Sequence, residues 1–282
     1  MQKYLRGWTL GLLLAGGLTG SQAASGGFAV EVIQYEPGVG YATDWQTGEG
    51  YTLPESALGA PSRVTVDPNP QFGGTFPVTP FAAPYLRSQL VSLGTGGSLT
   101  VKLAQPAEND PGHPYGIDFQ IFGSAAFKIV NGDYTGGGIT DGSLFGAAEP
   151  GSTRVEVSPD NETYYLLNPS LAPVVDGLFP TDGQGDFSIP VNPALTAADF
   201  DQQGLEGIRE LYAGSAGGTG FDLAWAQDAD GNPVALDAIQ FVRVSVLSGH
   251  AEVDAFALVP EPSTTSLLGL GLVWLLAGRR RQ

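Results

Sequence analysis

Short runs of alternating apolar and polar residues, each cut off by glycine or proline, recur along this chain, and that punctuation limits it to short elements. Glycine (41) and proline (21) supply the breaks within 282 residues, many turns but fewer than the roughly 25–30% typical of low-complexity disorder. Leu99, Val101 and Leu103 alternate with Ser98, Thr100 and Lys102, and Ile117, Phe119 and Ile121 alternate with Asp118 and Gln120. Both patterns predict half-buried strands. Residues 154–157 and 163–167 flank Ser158-Pro159-Asp160-Asn161-Glu162, and residues 221–226 and 238–246 flank Asp228-Ala229-Asp230-Gly231-Asn232-Pro233. Each reads as a hairpin, because proline presets the turn and Asp or Asn bonds back to its own backbone. A last strand is expected over 252–258.

One helical segment interrupts the pattern. Thr196 caps a turn with Asp199 three residues on, and Leu205, Ile208, Leu211 and Tyr212 share a helical face before Gly214 ends it. The expectation is an all-β antiparallel β-sandwich with one short helical insertion, a single domain over residues 24–258. Cysteine is absent, while 42% of residues are hydrophobic and 10% aromatic. Burial, with or without a bound cation, must therefore hold the fold.

Charge separates the ends from this body. The chain has 12 basic and 29 acidic residues, a net charge of -17. Every acid lies between Glu31 and Glu261, while Lys3, Arg6, Arg279, Arg280 and Arg281 sit at the extremities. An acidic body excludes nucleic acid as a partner, since no basic surface exists to neutralise phosphates. Residues 1–23 read as a signal peptide with its helix: Lys3 and Arg6, an apolar run over 8–18, then Ser21 and Ala23 at the positions signal peptidase reads. After polar residues 263–266 comes an apolar run over 267–277, and the whole span 263–278 is about 24 Å long as a helix. That is short for a transmembrane helix, but arginines that snorkel make up such a deficit. Arg279, Arg280 and Arg281 act as the membrane stop and hold that end on the cytoplasmic side.

The sequence Val259-Pro260-Glu261-Pro262-Ser263-Thr264, followed by this Leu/Gly-rich segment and terminal arginines, resembles the PEP-CTERM sorting signal of Gram-negative bacteria. The resemblance, over residues 259–282, implies an exosortase as partner, with Pro260, Glu261 and Pro262 as the recognised motif. It implies transient residence in the inner membrane, then the cell surface or extracellular matrix, with a role in exopolysaccharide and biofilm. Two prolines keep the motif extended and graspable. A second resemblance rests on Ala57-Leu58-Gly59-Ala60-Pro61, Gly97-Ser98-Leu99-Thr100-Val101, Gly116-Ile117-Asp118-Phe119, Val155-Glu156-Val157-Ser158 and Glu252-Val253-Asp254-Ala255-Phe256. It is similar to bacterial surface proteins with jelly-roll, galactose-binding-like domains.

Catalytic chemistry finds little support. Only His113 and His250 are present, with no Gly-x-Ser-x-Gly elbow, phosphate loop or HExxH motif. Carboxylates such as Asp118, Asp133, Asp141, Glu149 and Glu156 are too numerous to single out the acid pair of a polysaccharide hydrolase. Calcium suits an acidic exported fold. The Asp228–Asn232 run lacks the spacing of a calcium loop, and Glu31 on the first strand with Asp254 on the last is the candidate pair for a structural calcium. Trp45, in a polar loop with Tyr41 and Tyr51 nearby, is the candidate glycan-binding cluster, because sugar faces stack on rings; Trp225 reads as core. The expected role is a non-catalytic surface or matrix protein that binds extracellular polysaccharide. The alternatives are a secreted polysaccharide hydrolase and a purely structural acidic coat.

Overall fold

The computed structural model describes residues 27–66 and 74–261. The expected signal peptide with Ser21 and Ala23, and Pro262, the transmembrane helix and Arg279, Arg280 and Arg281, lie outside the described residues. Among the described residues no helix is long and apolar enough to cross a membrane.

Among the described residues fifteen strands alternate with turns and short helical segments. In chain order they are β1 (Ala29–Glu36), β2 (Val64–Val66), β3 (Thr75–Pro77), β4 (Val91–Gly94), β5 (Ser98–Glu108), β6 (Phe119–Phe122), β7 (Ala126–Phe127) and β8 (Leu144–Phe145). There follow β9 (Thr153–Ser158), β10 (Tyr165–Leu167), β11 (Thr219–Phe221), β12 (Ala226–Gln227), β13 (Ala238–Val246), β14 (His250–Val253) and β15 (Ala255–Leu258). The largest sheet has the order β1-β5-β13-β9-β10-β12, and its neighbours run antiparallel. A three-stranded antiparallel sheet, β11-β6-β15, and the β14-β4 pair complete the main framework.

One core joins the sheets. Leu99, Val101 and Leu103 of β5, Val242 and Val244 of β13, and Val155 and Val157 of β9 cluster with Phe119 and Ile121 of β6, Phe221 of β11 and Phe256 of β15. The protein is thus mostly β, with apolar faces of separate sheets sharing one interior, as the alternation of β5 predicts. The strand from Phe119 departs from that expectation, because β6 is buried on both faces. Phe122 packs with Phe187, Ala216 and Ala257 in a second cluster on the far side. Gln120 is buried as well and donates to the Phe187 carbonyl at 3.0 Å, which satisfies its amide nitrogen.

The hairpin across Ser158–Glu162 forms, with Tyr165 opposite Val157 and Asp160 accepting the Glu162 and Thr163 amides at 2.9 and 3.0 Å. The second hairpin does not. Phe221 belongs to β11 and pairs with β6, Leu223–Trp225 is a 3-10 turn, and β12 pairs with β10. β13 pairs instead with β5 and β9, because its Val242 and Val244 bury best between them. The expected last strand is two, divided at Asp254 into β14 and β15, which pair with different partners.

The helical insertion is also divided. Thr196 and Asp199 form a capping box on a 3-10 turn, Ala197–Phe200. The helix α1 (Leu205–Tyr212) follows and ends at Ala213 in the left-handed region. Ile208 and Tyr212 pack on Phe127, Val191 and Phe200 in a third cluster. Arg209 ties the helix to buried Asp182 through Nε–Oδ2 at 2.7 Å and Nη2–Oδ1 at 3.2 Å.

Candidate functional site

The loop carrying Trp45 is a small closed turn. Thr43 bridges to Gly50, the Asp44 amide donates to the Glu49 carbonyl at 2.8 Å, and Asp44 Oδ1 accepts the Gln46 and Thr47 amides. Those amides hold the Asp44 carboxyl below its ordinary range. Trp45 stands at the tip, 67% exposed. Tyr51 is buried beside it in sequence but faces inward, edge-on to Tyr85 with ring centroids 6.4 Å apart. Burial raises both phenol pKa values, and the Tyr85 hydroxyl lies close to Tyr51 and to the Trp45 backbone. Tyr41 is half-buried and packs over Gly50, where any side chain would strike its ring. The three predicted aromatics are therefore neighbours, yet only Trp45 offers an open face.

Tyr51 leads into a larger feature. It lines a cleft of about 920 Å³ whose other rings are Phe76, Phe81, Tyr85, Tyr134 and Phe145. Tyr134 is 77% and Phe145 61% exposed, so their faces are open to solvent. Thr43, Thr65, Thr79, Ser124 and Glu252 add polar groups. Among the described residues Glu252 is the one carboxyl in the lining. Its Oε2 accepts from Ser124 Oγ, and its Oε1 lies 3.6 Å from His250 Nε2. Burial raises the Glu252 pKa, with Ser124 and His250 opposing the rise.

Asp176 supports this floor from behind. It is fully buried and accepts the Ala125 amide at 2.6 Å and the Glu252 amide at 3.4 Å. Burial first, and the Glu252 charge second, push its pKa well up. Gly123 is required here because a β-carbon would collide with the Asp176 carboxyl. The cleft mixes flat apolar faces with hydroxyls and one shielded acid, an apolar lining with a few placed polar groups as in small-molecule sites.

Sequence reading missed Phe76, Phe81, Tyr134 and Phe145. The signal was present in the reasoning used for Trp45: Tyr134 sits in Asn131-Gly132-Asp133-Tyr134-Thr135-Gly136, an aromatic in a polar loop.

Of the candidate calcium pair, Glu31 lies on β1 and Asp254 at the junction of β14 and β15. Glu31 is exposed on β1, opposite Lys102. Asp254 is buried, and its Oδ2 and Oδ1 accept the Ser62 amide at 2.7 Å and hydroxyl at 2.8 Å. Asp228 spends its oxygens on Asp230 and Asn232, as the turn reading expects. Trp225 packs against the core from its 3-10 turn.

The C-terminal motif begins on the body itself. After β15 the Val259 amide donates to the Asp118 carbonyl at 3.0 Å, and Glu261 reaches the loop of Asp110 and His113. His113 is buried and pairs through Nδ1 with Asp118 Oδ1 at 2.8 Å. Asp118 also accepts the Leu223 amide at 2.8 Å and the Asp110 amide at 3.2 Å. Pro260 lines a separate cavity of about 740 Å³ with Phe28, Arg63 and Phe187.

A model of the PEP-CTERM protein-sorting motif matches residues 258–281. The chain thus carries a sorting motif that supports an exported protein, processed by an exosortase at the cell surface. A comparison with curated proteins gave no match.

Proposed function

We propose that the exported body is a non-catalytic glycan-binding module that attaches the sorted protein to extracellular polysaccharide, in the surface layer or biofilm of a Gram-negative bacterium. The observation that carries this reading is the 920 Å³ cleft, where exposed Tyr134 and Phe145 stand with Phe76 around a floor of hydroxyls. Its volume falls within the roughly 300–1,000 Å³ range of small-ligand sites. The solitary Glu252 favours binding over hydrolysis, because a paired-acid glycosidase places two carboxyls on one cleft about 5–10 Å apart. Asp176, which is close to Glu252, is not in the cleft lining, and its oxygens accept the Ala125 and Glu252 backbone amides. The strong negative charge favours neutral or cation-bridged polysaccharides over acidic ones.

Quantitative binding of the protein to polysaccharide extracted from the producing cells tests the proposal. Tyr134→Ala and Phe145→Ala remove exposed rings without opening the core, and each is expected to weaken binding about two- to tenfold, since a stacked ring contributes about 0.5–1.5 kcal/mol. Binding unchanged in both variants refutes the site. Sugar release that disappears in Glu252→Gln refutes the non-catalytic reading.

A further inference from the structure

We propose that Asp110, His113 and Glu261 form a site for a divalent transition-metal ion of the zinc class, with the acidic residue of the sorting motif as one ligand. One carboxylate oxygen from each acid and one imidazole nitrogen lie within 4.8 Å of one another. The independent pointer is His113: it is 4% exposed, its Nε2 has no hydrogen-bond partner among the described residues, and that atom faces Glu261 Oε1 at 3.9 Å. An unpaired buried nitrogen is costly to leave empty-handed.

The surroundings prepare that nitrogen as a ligand. Asp118 Oδ1 stands 2.8 Å from Nδ1, and Asp118 is itself fixed by the Leu223 and Asp110 amides. A carboxylate behind Nδ1 selects the tautomer whose Nε2 lone pair points away from it, and raises its donor strength. Asp110 is held in the same turn: its carbonyl accepts the His113 amide at 3.0 Å, and its Oδ1 accepts the Gly112 amide at 2.8 Å. Its carboxyl also meets the Glu261 carboxyl within hydrogen-bond reach, a contact that an ion held by both would replace. Glu261, with its side chain 55% exposed, supplies the third ligand and leaves the outer side open to water.

The ligand set chooses the ion. One imidazole and two carboxylates suit zinc-class cations, whereas calcium and magnesium take all-oxygen shells. Tetrahedral zinc with ligand distances near 2.1 Å places adjacent ligand atoms about 3.4 Å apart, so the Nε2–Glu261 edge closes by about half an ångström. A dication also offsets two adjacent negative charges in an acidic protein. Once bound, it ties the motif to the folded body and withholds Glu261 from a processing enzyme; that consequence, though not the site, rests on the sorting reading.

Cobalt(II) titration of the full-length protein in detergent reports the site, because a histidine-containing tetrahedral site gives intense visible absorption. The expected result is one cobalt per chain, displaced by zinc and not by equal calcium, with binding at least tenfold weaker in Glu261→Gln. Hydrogen exchange at the Val259 and Glu261 amides is expected to slow when zinc is added. His113→Ala should abolish the spectrum; if that variant unfolds, Glu261→Gln, which alters an exposed side chain, decides. Absence of saturable binding, indifference to Glu261→Gln, or equal competition by calcium overturns the proposal. Processing of Glu261→Gln in cells is a separate measurement, so failure of the metal site and failure of the sorting reading are distinguishable.

Discussion

Asp254 lies at the break between β14 and β15, buried, with its backbone amide donating to the Phe122 carbonyl at 2.8 Å. Burial raises its carboxyl pKa from 3.8 to about 7, against the opposing pull of the two Ser62 hydrogen bonds. A folded state that holds a proton more tightly than the unfolded chain is stabilised at low pH. This contribution is fully present below 3.8 and is lost as pH rises through about 7. The whole span corresponds to about 4 kcal/mol. Between about pH 5 and about pH 8 the loss is about 3 kcal/mol. Asp254→Asn removes the titration while keeping the contacts: the amide oxygen accepts the Ser62 N–H, and the amide nitrogen donates to Ser62 Oγ. Urea unfolding followed by circular dichroism, for both proteins at both pH values, isolates the effect as a difference of differences. Any constant cost of the asparagine cancels, as do other carboxyls distant from it. The wild type is expected to lose about 3 kcal/mol more than the variant on going to the higher pH. Parallel profiles, within about 0.5 kcal/mol, would refute the assignment of a buried protonated carboxyl at this junction.

Phe221→Ala removes a fully buried ring stacked on Phe119, with centroids 5.3 Å apart, and is expected to cost about 3–5 kcal/mol in thermal or urea unfolding. A loss under about 1 kcal/mol would mean that the two sheets do not share this core. Replacing Pro260, Glu261 and Pro262 together with alanine is expected to leave the protein in the membrane fraction. Release equal to wild type, measured by immunoblotting of culture supernatant, would exclude recognition of the motif.

Local chemistry was legible in the sequence, and long-range pairing was not. The turn at Ser158–Glu162 announces itself because Asp160 bonds to amides two and three residues away, an interaction that needs nothing from the rest of the fold. The alternation in β5 likewise predicts its buried face. By contrast, β13 lies between β5 and β9 rather than against its sequence neighbour β12, because its partners are chosen by burial across the whole chain. Ile117, Phe119 and Ile121 display their period, yet no periodicity reveals that Phe122 and Gln120 also meet a covering segment. The cleft is harder still, since Tyr51, Phe81, Tyr134 and Glu252 arrive from separate loops and strands. Composition pointed to aromatic recognition through Trp45; only the fold assembles the remaining rings. His113 illustrates the same limit: its loop reads as a turn, and its role depends on Asp118 behind it and Glu261 from the far end of the chain.

The position of the last strand also limits where the sorting segment can be cut. β15 ends at Leu258, and Phe256, Leu258 and Val259 are all buried. The Leu258 amide donates to the Gly27 carbonyl at 2.7 Å and the Val259 amide to Asp118 at 3.0 Å. Cleavage before Val259 therefore removes hydrogen bonds from the centre of the structure, and a cut before β15 also strips β6 of a partner strand. Losing Phe256 alone exposes a core position at a cost of about 3–5 kcal/mol, a large part of the roughly 5–15 kcal/mol that holds a typical domain together. Release of a folded body thus requires the scissile bond to lie at or beyond Val259-Pro260. Pro260 and Glu261 then occupy the first positions that an enzyme can grip without unfolding its substrate. This explains why the motif follows the terminal strand directly: the body ends where the address begins.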